Sequence, residues 1–193
     1  MSNFTASVRH GFSNLTNFEG RDRPRQFWPY ALLLVGSHWL VGMALTVPMM
    51  IDAMKSSFAA VGDAARAGGQ VDQLQLQADM MQQVMGQAQA IMPYTMALNI
   101  IAAALLVAAT VRRLHDRDWS GWWVMLAVGS MAIGFVTSYW AMDLVSGDPQ
   151  AIMDNMGTLQ LLGWLPLIGY IVLIIQLVQG GSNADNRFGP PPA

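Results

Sequence analysis

The chain has 193 residues, of which 53% are hydrophobic and only 11% charged. A soluble domain carries about 25% charged residues, so this chain cannot cover a water-facing globule in the usual way. Ten basic against twelve acidic residues leave a net charge of −2, which argues against a nucleic-acid-binding surface. There is no cysteine, which excludes disulfides, thiolate metal sites and cysteine nucleophiles.

Residues 1–26 are polar and carry Arg9, Arg21, Arg23 and Arg25. Phe4, Val8, Phe12 and Leu15 form a stripe that predicts a short helix over residues 3–14, lying on the cytoplasmic interface. No short apolar core precedes a small-residue cleavage site, so the first span is expected to be an uncleaved anchor. That span covers residues 27–51. Three more apolar runs follow at 91–111, 121–141 and 159–178, and none of the four contains Asp, Glu, Lys or Arg. About 20 helical residues match a hydrocarbon core roughly 30 Å thick. The expected fold class is therefore all-α: an integral membrane four-helix bundle occupying residues 27–178.

Between the first two spans, residues 52–90 are too long for a turn. Met50, Met54, Phe58, Val61 and Ala65 recur at three- and four-residue steps. Leu74, Ala78, Met81, Met85, Ala88 and Met92 do so beyond Gly68–Gly69. Asp72 with Gln75 reads as an N-cap and capping-box pair. This pattern predicts an extramembrane helical hairpin that prolongs the first two spans. The polar face of its second arm is mostly Gln, which does not suit an interfacial helix bound to anionic lipid. In the 142–158 loop, Gly147–Asp148–Pro149 signals a turn, and a short helix over residues 150–156 is expected. The tail, 179–193, reads as irregular and cytoplasmic.

Counting Lys and Arg sets the orientation. Eight fall in the N-terminal segment, the middle loop (Arg112, Arg113, Arg117) and the tail (Arg187), against only Lys55 and Arg66 on the other side. Both termini are thus expected in the cytoplasm. Trp28, Tyr30, Trp119, Trp122 and Trp123 would mark the inner interface, and Tyr94, Tyr139 and Trp140 the outer one. Trp39 and Trp164 are expected to pack between helices.

Three polar and aromatic clusters, residues 18–28, 112–123 and 186–191, fall at the cytoplasmic interface in this topology. Within them stand Gly20-Arg21-Asp22-Arg23-Pro24-Arg25-Gln26-Phe27-Trp28, then Arg113-Leu114-His115-Asp116 with Ser120-Gly121-Trp122-Trp123, then Asn186-Arg187-Phe188-Gly189-Pro190. In this order, with apolar runs between them, they resemble the domain of unknown function 805 family of bacterial inner-membrane proteins. The family pattern is Gly-Arg-x-x-Arg-x-x-Phe-Trp, then Arg-Leu-His-Asp…Ser-Gly-Trp-Trp, then Asn-Arg-Phe-Gly-Pro. Pro24 stands at one family Arg position, and Asp118 and Trp119 stand where the family often has Gly and a basic residue. The resemblance implies a membrane location and brings no activity or cofactor.

Two readings of these clusters stay open. In the architectural one, Arg112 and Arg113 complement a helix C-terminus, Ser120 N-caps the third span, the Trp rings anchor the interface, and Asp116 or Glu19 pairs with arginines. In the sharper one, Arg21, Arg25, Trp28, Arg112, Arg113, His115, Asp116, Trp122 and Arg187 form a site that clamps an anionic lipid head group or a partner. His115 beside Asp116 would then titrate near neutral pH. Within the spans, His38 is the ionisable residue near mid-depth, with a neutral imidazole bonded to a neighbouring helix as its ordinary role. Ala104/Ala108 and Ser130/Gly134 have the small-xxx-small spacing of close helix packing.

The function classes are a structural or interaction protein and, as alternative, a small transporter or channel subunit. No carboxylate lies in a span, but Pro166 and Gly169 suggest a break in the fourth helix. A homo-oligomer stays open. No catalytic pattern, zinc motif or Gly-rich phosphate loop is present, nor any nicotinamide, flavin, haem or pyridoxal phosphate signature, so no enzyme, metal or cofactor is expected.

Overall fold

The computed structural model describes residues 2–66, 73–147 and 149–191. Five helices run in order: α1 (Ser2–Ser13), α2 (Pro24–Arg66), α3 (Gln73–His115), α4 (Met125–Gly147) and α5 (Pro149–Val178). A 3-10 turn, Gly121–Val124, leads into α4. Among the described residues four helices are long and apolar enough to cross a membrane, as the hydropathy predicts. In the most apolar stretch of each, only 6 to 22% of the residues are buried within the protein. Most of the remaining apolar surface is therefore left for lipid rather than for a protein core.

α2 and α3 each run for 43 residues without interruption. At 1.5 Å per residue each is about 64 Å long, about twice the hydrocarbon thickness. They pack side by side, and Ser56 Oγ donates to Gln83 Oε1 at 2.7 Å well past the first span. The proposed Asp72 cap and the Gly68–Gly69 break lie outside the described residues, as does Asp148 of the expected turn. The separate helix expected over 150–156 is instead the first part of α5. α5 also continues through Pro166 and Gly169, so the expected break is absent. The reason is local packing. Gly169 brings α5 against α4 so closely that a Cβ there would overlap Ser130 Oγ, which accounts for the buried Ser130.

The buried core lies at one end of the bundle, not at its middle. It consists of Phe27, Tyr30, Ala31, Ala109, Leu114, Leu173 and Leu177. Tyr30 is not an interface anchor: it is 1% exposed, and its hydroxyl donates to the Leu105 carbonyl at 2.8 Å. α1 docks over it. A Cβ at Gly11 would run into the Tyr30 ring, and Phe12 meets that ring edge-on at 5.3 Å. Ser7 Oγ donates to the Arg25 carbonyl at 2.9 Å. Trp39 and Trp164, expected between helices, are 64% and 59% exposed and face outward from the bundle.

Candidate functional site

The three sequence clusters converge at the core end of the bundle. There Arg21, Asp22, Arg112, Arg113 and Asp116 are all buried. Asp116 sits between two guanidiniums. Its Oδ1 accepts from Arg21 Nε at 3.3 Å and Nη2 at 3.1 Å, and its Oδ2 accepts from Arg113 Nη1. Asp22 binds Arg112 Nε through Oδ2 and His10 Nε2 through Oδ1, both at 2.9 Å.

Three arginines against two carboxylates leave an excess positive charge, which backbone carbonyls absorb. Arg112 reaches the carbonyls of Asn14 and Asn17, just past the end of α1. Arg113 reaches those of Leu177 and Gln179, at the end of α5. Arg21 reaches those of Ser182, Ala184 and Gly189 in the tail. Helix C-terminal carbonyls have no partners within their own helix and carry partial negative charge. Arg113 therefore serves the end of α5, and Arg112 fastens the turn that follows α1, while both sit on α3. Arg112 Nη2 is buried and makes no hydrogen bond.

The tail is ordered by the same constellation. Asn186 Nδ2 donates to the His115 carbonyl at 2.9 Å, and Phe188 stacks on the His115 ring at 3.7 Å. Asn186 and Gly189 exchange backbone hydrogen bonds, with Gly189 at φ +113. Arg187 Nε pairs with the Asp118 carboxylate at 3.1 Å. The irregular tail is thus a specific clasp. His115 does not pair with Asp116: its Nδ1 lies 3.3 Å from the Gly20 carbonyl, and the Asp116 carboxylate is occupied by Arg21 and Arg113.

The remaining candidates lie outside the buried network. Arg25 and Arg187 are exposed, Trp28 is half-buried against Phe27, and Trp122 is 78% exposed. Ser120 caps the 3-10 turn, not α4, accepting from the Trp122 backbone N–H at 3.4 Å. His38 is half-buried on α2, and its enclosed Nδ1 makes no hydrogen bond, so that nitrogen does not make the expected bond to a neighbouring helix. Sequence reasoning left Asp22, His10 and Gly181 out of the site. Asp22 was legible as the acid inside Gly-Arg-Asp. Gly181 was not, because what demands glycine there is the Asp116 carboxylate from a distant part of the chain.

Asp118 has φ 59, the left-handed region that favours glycine. A glycine would adopt this conformation without strain. Asp118→Gly removes both the strain and an ion pair whose side chains are over half exposed, worth at most about 1 kcal/mol. The expected stability change is within about 0.5 kcal/mol, whereas Asp118→Val costs more than about 1 kcal/mol. Thermal unfolding in detergent checks both.

Among the described residues no cluster of His, Asp or Glu is placed to hold a metal ion. Two curated relatives share part of the chain. They are the "Inner membrane protein YhaH" of Escherichia coli strain K12 and of E. coli O157:H7, each 27% identical over 85 residues. The alignment covers 44% of this chain and 40% of each relative's length. No solved structure matches. A family model described as a protein of unknown function, DUF805, matches residues 15–190, from just before the first cluster through the tail clasp. The chain belongs to that family of membrane proteins.

Proposed function

We propose that this is a structural or interaction protein of the bacterial inner membrane, with both termini cytoplasmic and the ion-pair clasp as an architectural device. One observation carries the reading. Arg21 and Arg113 are buried and spend their donors on the protein's own carboxylates and carbonyls, and buried Arg112 does the same with Nε and Nη1, leaving only an enclosed Nη2, so the three are not arranged to clamp an external anion. The eight-to-two distribution of basic residues supports a cytoplasmic clasp end. The reading is non-enzymatic.

Contact with an anionic lipid or a partner then falls to the outward groups, Arg25 and Trp122. An exposed arginine and an exposed indole at a membrane interface suit phosphate and head-group depth, respectively. Native mass spectrometry in a gentle detergent tests this. Arg25→Ala with Trp122→Ala is expected to lose retained phosphatidylglycerol or cardiolipin. Retention equal to wild type overturns the lipid contact. A transport role has less support, since α5 is unbroken and Asn99 Nδ2 bonds to the Thr95 carbonyl of its own helix at 2.8 Å.

A further inference from the structure

Among the described residues three enclosed side-chain polar atoms make no hydrogen bond, and two of them, His38 Nδ1 and Gln87 Oε1, belong to α2 and α3. The half-buried face of α2 runs through Leu34, His38, Gly42, Thr46 and Met49 to Ser56. α3 is the helix that packs along it. Tyr30 ties the two at one end, through the Leu105 carbonyl, and Ser56 ties them at the other, through Gln83. The antiparallel register between these bonds sets His38 level with about residue 98 of α3, beside the half-buried Asn99. Gln87 is one turn from Gln83, on the same face of α3.

This interface is polar away from the clasp and apolar towards it. The half-buried Thr46 and Thr95 hydroxyls donate to the Gly42 and Met92 carbonyls of their own helices, at 3.0 and 2.9 Å, and keep their lone pairs as acceptors. Gly42, one turn from His38, has nothing within 4 Å of its Cβ position, so the helices leave room where the polar groups gather. Towards the clasp, Leu34 and Leu106 pack on the buried Phe27, Tyr30, Ala31 and Ala109. A path along the interface from the far end therefore stops at His38.

We propose that this half of the α2–α3 interface is a blind inlet that binds water and ends at His38, about 16 Å along the span that starts at residue 27. Enclosed polar atoms are nearly always paired with protein or with water, and here the chemistry selects water. With the ring proton on Nε2, His38 Nδ1 is an acceptor. Gln87 Oε1 is another, and so is Asn99 Oδ1, since Asn99 gives its Nδ2 to the Thr95 carbonyl at 2.8 Å. Acceptors join one another only through a donor, and water brings two protons and needs little room. No charged side chain lies in residues 27–51 or 91–111, so Asn99, Thr95 and Thr46 are the groups that meet the imidazole along the inlet. Through this water His38 exchanges protons with one side of the membrane, the side remote from the clasp. The inlet is independent of which side that is and of the lipid contact proposed above.

Water-edited solid-state NMR of the full chain in lipid bilayers, with nitrogen-labelled histidine and tryptophan, tests this. Trp39 is the internal reference, because it adjoins His38 in the chain and so lies at the same depth, yet it is 64% exposed and faces outward. His38→Gln and Trp39→Phe assign the two signals. Magnetisation from water is expected to reach the His38 ring nitrogens several-fold faster than the Trp39 indole. Equally slow transfer to both overturns the inlet, and a ring bonded directly to α3 gives that result. Gly42→Leu fills the open space beside His38 and is expected to slow the transfer to the Trp39 rate. Undiminished transfer in Gly42→Leu means that water arrives by another route, which also overturns the inlet.

Discussion

Replacing Asp116 with alanine is expected to destabilise the protein by about 3–5 kcal/mol, the usual result of removing one partner of a buried ion pair. The carboxylate is buried, and it serves two buried guanidiniums, Arg21 and Arg113. Without it both cations remain held by carbonyls from the tail and from α5, with no counter-charge at their meeting point. Asp116→Asn keeps the shape and removes the charge, so it should recover only a minor part of the loss. The chain provides its own control. Asp63 and Arg66 are 3.1 Å apart, but their side chains are 74% and 83% exposed, and Asp63→Ala should change stability by less than about 1 kcal/mol. Unfolding of each variant in detergent and denaturant measures the difference. If Asp116→Ala costs no more than Asp63→Ala, the clasp arginines are hydrated and the buried network does not hold.

Gly181→Ala is expected to cost about 1–3 kcal/mol, as overpacking does. At an ordinary backbone position a glycine-to-alanine change stabilises by roughly 0.4–1 kcal/mol through the unfolded chain. Here the new methyl group would occupy the space of the Asp116 carboxylate, and its three nearest atoms are all from that group. The carboxylate cannot swing aside because arginines hold both of its oxygens. The adjacent Gly180 has nothing within 4 Å of its Cβ position, and Gly180→Ala should be neutral or mildly stabilising. The two neighbours therefore differ in sign. Equal melting temperatures for the two variants would mean that the tail does not pack on Asp116.

The spans were legible because they depend on a local quantity. About 20 uncharged apolar residues announce a membrane helix whatever they later touch, and residues 91–111 lie inside α3 as expected. The α1 helix was legible from its stripe, yet it docks through Ser7 and Gly11 while Phe4 and Phe12 stay substantially exposed. Size decided this: only small residues let α1 lie close over Tyr30. Tyr30 itself illustrates what periodicity misses. Its place near a span end suggested an interface, and only α1 folding back over it makes it core. The clasp was half legible. The three clusters stood out as arginine-rich, and both the lipid clamp and the architectural role were consistent with that composition. What separates the two is where each guanidinium's donors go, and most go to carbonyls, which every residue carries and no sequence pattern marks.

The order in which the chain is made gives the clasp a further property. Residues 182–189 supply the acceptors of Arg21 and the stacking partner of His115, and they are synthesised after every element they fasten. Until the tail is made Arg21 has only Asp116 among its final partners, and until α5 is made Arg113 lacks the Leu177 and Gln179 carbonyls. The network is complete only once residues 182–189 have been made and have folded back. Docking of the tail therefore comes after the helices it fastens have been made.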